Sequence, residues 1–143
     1  MFQPSQHDVR RFFCEVQRRL VAGEPLDAMQ AKAATWVQAH PEYADDLADA
    51  DAAVAAEYGV DDGRENPFLH LSMHLSIAEQ VAIDQPRGMA QACDLLSRRL
   101  GSAHDAHHQV MECLGTTLWT SQRSGLPPDG QAYLDCVRQR ATR

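Results

Sequence analysis

Glycine and proline divide this chain into short segments, and in almost every one apolar residues return at the spacing of a single helix face. From Ser5, a residue suited to an N-cap, Val9, Phe12, Phe13, Val16 and Leu20 fall at i, i+3, i+4, i+7 and i+11. After "AGEP" the pattern resumes with Leu26, Met29, Ala33, Trp36 and Val37, until Pro41 stops it; His40 continues the stripe. Composition agrees: 21 alanines stand against 16 Val, Ile and Thr, and alanine loses least on entering a helix while β-branched side chains lose χ1 freedom there. With 143 residues and no shift in composition, the expectation is one all-α domain over residues 1–143, a single helical bundle of five to six helices.

The remaining segments fit that scheme. "PEYADDLADADAAVAAEYG" keeps Tyr43, Leu47, Val54 and Tyr58 in helical phase and reads as a short helix with its aspartates in water. "GVDDGREN" is a loop whose acids lack the order of a calcium hand, and no metal is assigned to it. Asn66 as N-cap and Pro67 at the first helical position open the third full-length helix, which "DQP" ends. A fourth, from about Arg87 to Leu100, places Met89, Cys93, Leu96 and Leu100 on one side before Gly101 closes it. Ser102 with Asp105 resembles a capping box and starts a fifth, running to about Arg123. Beyond "SGLPPDG" a final helix from about Asp129 to Gln139 offers Tyr133, Cys136 and Val137 to the core and then frays into a basic tail.

Charge and hydropathy exclude several classes. The net charge is −7, and the 12 arginines and one lysine are scattered in pairs such as Arg10/Arg11 and Arg98/Arg99, which disfavours nucleic acid. No run approaches the roughly 18 apolar residues of a membrane span, and the N-terminus lacks a signal-type core, so a soluble cytoplasmic protein is expected. Cys14, Cys93, Cys113 and Cys136 fall on four segments without a C-x-x-C pair; they are expected to stay reduced as small buried hydrophobes. A homodimer is compatible with the acidic surface and arginine pairs, and the partner is open between a protein and a small substrate.

The feature left to explain is histidine. At 100° per residue His70, Met73, His74, Ile77 and Val81 share a face of the third helix, with Glu79 roughly opposite. On the fifth, His104, His108, Met111, Glu112, Gly115, Leu118 and Trp119 form one side, His107 lies at its edge, and Cys113 points away. Two H-x-x-x-H pairs are thus directed inward, at heights that differ by about 3 Å if the two helices start at the same end of the bundle. The same alternation would bring His7 and His40 to that end too. Imidazoles one turn apart can grip one ion, Glu112 supplies a carboxylate one turn further, Gly115 removes bulk, and helix N-termini keep the rings neutral.

The expected site is therefore a divalent transition metal, zinc, iron or manganese, held by His70, His74, His104 and His108 with Glu112 as fifth ligand. An open coordination position would suit metal-activated water or redox chemistry, and a closed four-histidine set a structural or sensing role. The alternative is a metal-free structural or interaction protein whose core histidines only hydrogen-bond, which is the commoner state of a histidine taken singly and the one assumed for His7 and His40. Neither a nucleophile elbow nor a Gly-rich phosphate loop occurs in the sequence.

The segments "PEY", "NPFLHLSMHLSIAEQVAIDQPRG", "VMECLGTTLW" and "PPDGQAYLDC" resemble a family of small bacterial proteins known as domain of unknown function 1841, over nearly the whole chain. That resemblance implies no activity. A fainter, chemical likeness is to hemerythrin-like and ferritin-like metal bundles, through the H-x-x-x-E of His108 and Glu112. The ferritin-like E-x-x-H pairs are absent, and H-x-x-x-H stands in their place.

Overall fold

The computed structural model describes residues 5–58 and 65–142. Its order is α1 (Gln6–Ala22), α2 (Ala28–Ala39), a 3-10 turn (Pro41–Tyr43), α3 (Ala50–Ala55), α4 (Pro67–Ile83), α5 (Met89–Leu100), α6 (Ala103–Ser124) and α7 (Gly130–Thr142), with no strand among the described residues. The all-α expectation holds, with seven α-helices among the described residues in place of five to six; the acidic stretch after Pro41, expected as one short helix, forms the 3-10 turn and α3. No helix among the described residues is long and apolar enough to cross a membrane. By its contacts the chain forms two compact units, Met1–Leu75 and Ser76–Arg143.

The helix signals operate as local chemistry requires. Ser5 Oγ accepts from Asp8 N while the Asp8 carboxylate accepts from Ser5 N, a reciprocal cap that satisfies two otherwise orphaned donors. Asp27 and Gln30 do the same for α2. Asn66 Oδ1 accepts from Phe68 N and Leu69 N, so α4 starts at Pro67 where no N–H is needed. Ser102 Oγ accepts from Asp105 N at the start of α6, and Gly101, at φ 73°, closes α5.

In the first unit, Phe13 and Val16 of α1, Ala33, Trp36 and Val37 of α2, Tyr43, Leu47, Ala53, and Phe68 and Leu71 of α4 form one buried cluster. Val9, Phe12 and Leu20 pack against its edge, whereas Met29, expected inside, is largely exposed because the buried face of α2 runs through Gln30, Ala33 and Val37. One charge is built into this core. Arg10 is buried, and its Nη1 donates to the carbonyls of Ala53 (2.8 Å) and Ala56 (2.7 Å) at the end of α3. Its guanidinium also lies 5.4 Å from the Tyr58 ring centroid and 5.3 Å from that of Phe68. A six-residue helix is too short to be stable alone, and this cation at its C-terminal carbonyls ties it to α1.

In the second unit α5, α6 and α7 pack against one another around Met89, Ala92, Cys93, Leu96, Val110, Tyr133, Leu134 and Val137. Gly88 enters α5 at φ 102°, a backbone conformation that favours glycine, with Asp84 Oδ1 accepting from Gly88 N and Ala90 N. The expected fraying of the last helix does not occur: α7 continues to Thr142, with Arg99 donating to the Arg140 carbonyl. The expectation of four reduced thiols is corrected as well. Cys113 of α6 and Cys136 of α7 form a disulfide across 23 residues, because both side chains turn into the same helix–helix contact, while Cys14 and Cys93 are the free, buried pair.

Replacing Arg10 by Met is expected to destabilise the protein by about 2–4 kcal/mol, the combined value of two charge-assisted hydrogen bonds and a cation–π interaction at a buried position. Urea unfolding of the variant checks this, with Arg10→Lys expected to recover only part of the stability because a compact ammonium cannot both reach the two carbonyls and lie over two rings.

Candidate metal centre

Two breaks in the chain set up the first unit's site. Pro41 forbids α2 from continuing, so His40 becomes its C-cap at φ −123°, ψ 66°, and the turn Pro41–Tyr43 folds directly back. Tyr43 N donates to the His40 carbonyl, its ring stacks on the His40 imidazole at 4.9 Å and 10°, and Glu42 reaches back to His40 Nδ1 at 2.8 Å. At the second break Glu65 precedes the Asn66 cap and places one carboxylate oxygen 2.8 Å from His70 Nδ1, while the other accepts from the Tyr43 hydroxyl at 3.0 Å.

These turns converge three imidazoles. His40 Nε2 lies 3.0 Å from His74 Nε2 and 3.1 Å from His70 Nε2. His74 is fully buried, the His40 and His70 side chains are 5% and 11% exposed, and the indole of Trp36 stacks on His74 at 4.3 Å and 7°. Burial and the bond to Glu65 push the Tyr43 phenol well above its ordinary range, so it remains a hydrogen-bond donor to that carboxylate.

The carboxylates fix the tautomers. An ionised carboxylate only accepts, so Glu42 and Glu65 require the proton of neutral His40 and of neutral His70 to sit on Nδ1. Each Nε2 then presents a lone pair to the other across 3.1 Å. A His74 Nε2–H can donate to His40 Nε2 at 3.0 Å, and a cation or an extra proton among the three rings would be shared by nitrogens that face one another. Four-coordinate zinc with nitrogens at 2.0–2.1 Å spaces its ligand atoms about 3.3 Å apart, and the separations of His40 Nε2 from the other two nitrogens, 3.0 and 3.1 Å, lie within a few tenths of an ångström of that spacing.

Of the residues proposed from sequence, the first unit brings His70 and His74 together and adds His40, which the sequence pattern alone places among ordinary core histidines. In the second unit His104 and His108 form a half-buried pair with ring centroids 4.3 Å apart. Glu112 does not continue that pair: it is exposed and forms an ion pair with Arg140. The reason is the rotation of α6. Its buried face runs through Ala106, His107, Val110, Met111 and Cys113, which places Glu112 about half a turn away and leaves Gly115, Leu118 and Trp119 exposed. Cys113, expected to point away from the histidine face and to be buried, is interior, and His107, expected at the edge or surface, is buried as well. His7 is exposed at the start of α1.

Glu42, Glu65, Tyr43 and Trp36 were not singled out from sequence. Glu42 stands two residues after His40 across a proline, a spacing that invites contact. Glu65 was weighed only as a member of a calcium loop; the rest of that stretch, residues 59–64, lies outside the described residues.

The family described as Domain of unknown function (DUF1841) matches residues 5–139, and the chain belongs to it. No curated protein and no solved structure matches the chain.

Burial, with the charges of His104 and His108 adding to it, lowers the His107 pKa from 6.5 to about 4. The unfolded chain thus takes up this proton near pH 6.5 and the folded chain only near pH 4, so the contribution to stability is complete above pH 6.5 and is lost as pH falls through that window. Chelator-treated protein should lose stability on acidification at up to about 1.4 kcal/mol per pH unit from this group, and His107→Gln should flatten the slope in urea melts between those limits.

Proposed function

We propose that the protein binds a divalent transition metal, zinc, iron or manganese, through His40, His70 and His74 of the first unit. The observation that carries this reading is the convergence of Nε2 atoms, His40 lying 3.0 Å from His74 and 3.1 Å from His70, with a carboxylate 2.8 Å from Nδ1 on the far side of the His40 and His70 rings. Carboxylate–imidazole–metal chains are the usual way a metal-ligating histidine is oriented and made more basic, and here two carboxylate–imidazole pairs meet, with Trp36 stacked on His74 and Tyr43 on His40. The membership of the family supplies a domain of unknown function and leaves the chemistry to the site.

A second reading has its own support. The same three nitrogens can share one extra proton, giving a metal-free hydrogen-bonded network in a structural or interaction protein. The two readings separate on thermodynamics, since an ion that binds only the native state raises its stability by RT ln(1 + [M]/Kd).

Untagged protein is expected to carry metal near one equivalent by elemental analysis, and chelation should lower Tm. His40→Ala and His74→Ala should abolish the metal and the Tm response together. Glu65→Ala, which touches no metal, should weaken affinity by about 10–100-fold in competition with a chromogenic chelator. Protein free of metal, with a Tm indifferent to added zinc, iron(II) and manganese(II), would leave the shared-proton network as the function of the cluster.

A further inference from the structure

Both cysteines of the second unit's disulfide line a cavity of about 280 Å³. Cys113 is 1% exposed and Cys136 is half-buried, so Cys136 is the more accessible residue of the two. Thr116, Thr117, Thr120 and Ser121 of α6 and Leu126 beyond it also line the cavity. Three of the four hydroxyls are committed as donors: Thr116 to the Glu112 carbonyl at 3.0 Å, Thr117 to that of Cys113 at 2.9 Å, and Ser121 to that of Leu126 at 2.5 Å. A hydroxyl that has given its proton to a backbone carbonyl retains acceptor lone pairs, so these groups offer acceptors to any occupant, and Asp129 adds a carboxylate to the lining.

We propose that this cavity admits a small aminothiol, which exchanges with the Cys113–Cys136 disulfide. The volume lies below the usual range for drug-sized ligands, about 300–1,000 Å³, which selects a small thiol over the extended surface of a protein dithiol. The acceptor wall and Asp129 select one bearing an ammonium or amide N–H. In the first step the thiolate of the aminothiol attacks Cys136 Sγ; the new S–S bond forms there, the Cys113–Cys136 bond breaks, and the electron pair leaves on Cys113 Sγ, which takes a proton from water. In the second step another aminothiol thiolate attacks the aminothiol sulfur of the mixed disulfide, releasing the aminothiol disulfide and Cys136 thiolate, which is protonated in turn. Two small thiols are oxidised and one protein disulfide is reduced, so the tie between α6 and α7 becomes responsive to the thiol pool.

The test uses the full-length folded protein and cysteamine as the probe. Cysteamine should give one mixed disulfide per chain, mapped by peptide mass spectrometry to Cys136, at a rate that does not follow the unfolded fraction as urea is raised below the transition. Thr120→Trp, which fills the cavity from an exposed position on α6, should slow adduct formation at least tenfold at unchanged Tm. Equal rates in the two proteins, an exchange rate that tracks global unfolding, or an adduct on Cys113, Cys14 or Cys93 would each overturn the proposal. Reduction by a protein dithiol under conditions where cysteamine leaves the bond intact would overturn it too.

Discussion

A carboxylate that accepts from the Nδ1–H of an imidazole decides what the far nitrogen of that ring can do. In the first unit this happens twice, at Glu42 with His40 and at Glu65 with His70, and it turns two neutral rings into lone-pair donors aimed at one point. Much of the local structure serves that placement. Pro41 ends α2 one residue after its last turn, so that His40 leaves the helix and Glu42 comes back beside it. Asn66 and Pro67 start α4 at a fixed residue, which sets both His70 and His74 on the turn behind Glu65. Tyr43, hydrogen-bonded to Glu65 and stacked on His40, joins the two breaks into one network.

Such a cluster is costly to bury. Imidazoles in an apolar core lose hydration, and like dipoles pointed at one another lose more. The surrounding architecture is rigid at the same points: Trp36 lies flat on His74, Tyr43 flat on His40, and Arg10 locks α3 to α1 through the last carbonyls of that helix. A core that only needed filling would be served better by leucine at position 74, which is fully buried. The polar choice there, with aromatic walls that restrict ring rotation, is the arrangement expected when the direction of a nitrogen matters.

The fold class was legible because helix punctuation is local chemistry. Ser5, Asn66, Gly101 and Ser102 act at the residues where their side chains or missing Cβ have a role, and each can be recognised without knowing what packs on what. Which face of a helix is buried is a different matter, since it depends on neighbours. On α6, Leu118 and Trp119 pulled the expected face toward Glu112, whereas the packed face contains alanine, cysteine and a histidine whose charge is suppressed by burial. The disulfide was hidden for the same reason: Cys113 and Cys136 are 23 residues apart, and only the crossing of α6 and α7 makes them partners.

His40 and Glu65 show where the candidate site itself passed out of reach of sequence pattern. The pairs at 70/74 and 104/108 announce themselves by helical spacing, because i and i+4 side chains must meet whatever else the chain does. His40 has no such companion; its partners lie 30 and 34 residues away. Glu65 belongs to a loop, where no periodicity applies, and its role follows from standing five residues before His70 on the approach to a capped helix. Ligands carried by a regular element can be read from their period, whereas the groups that orient those ligands come from the turns where the period ends. In this chain those turns are set by Pro41 and by the Asn66–Pro67 cap, so the sequence marks of the orienting carboxylates are helix breakers beside acids.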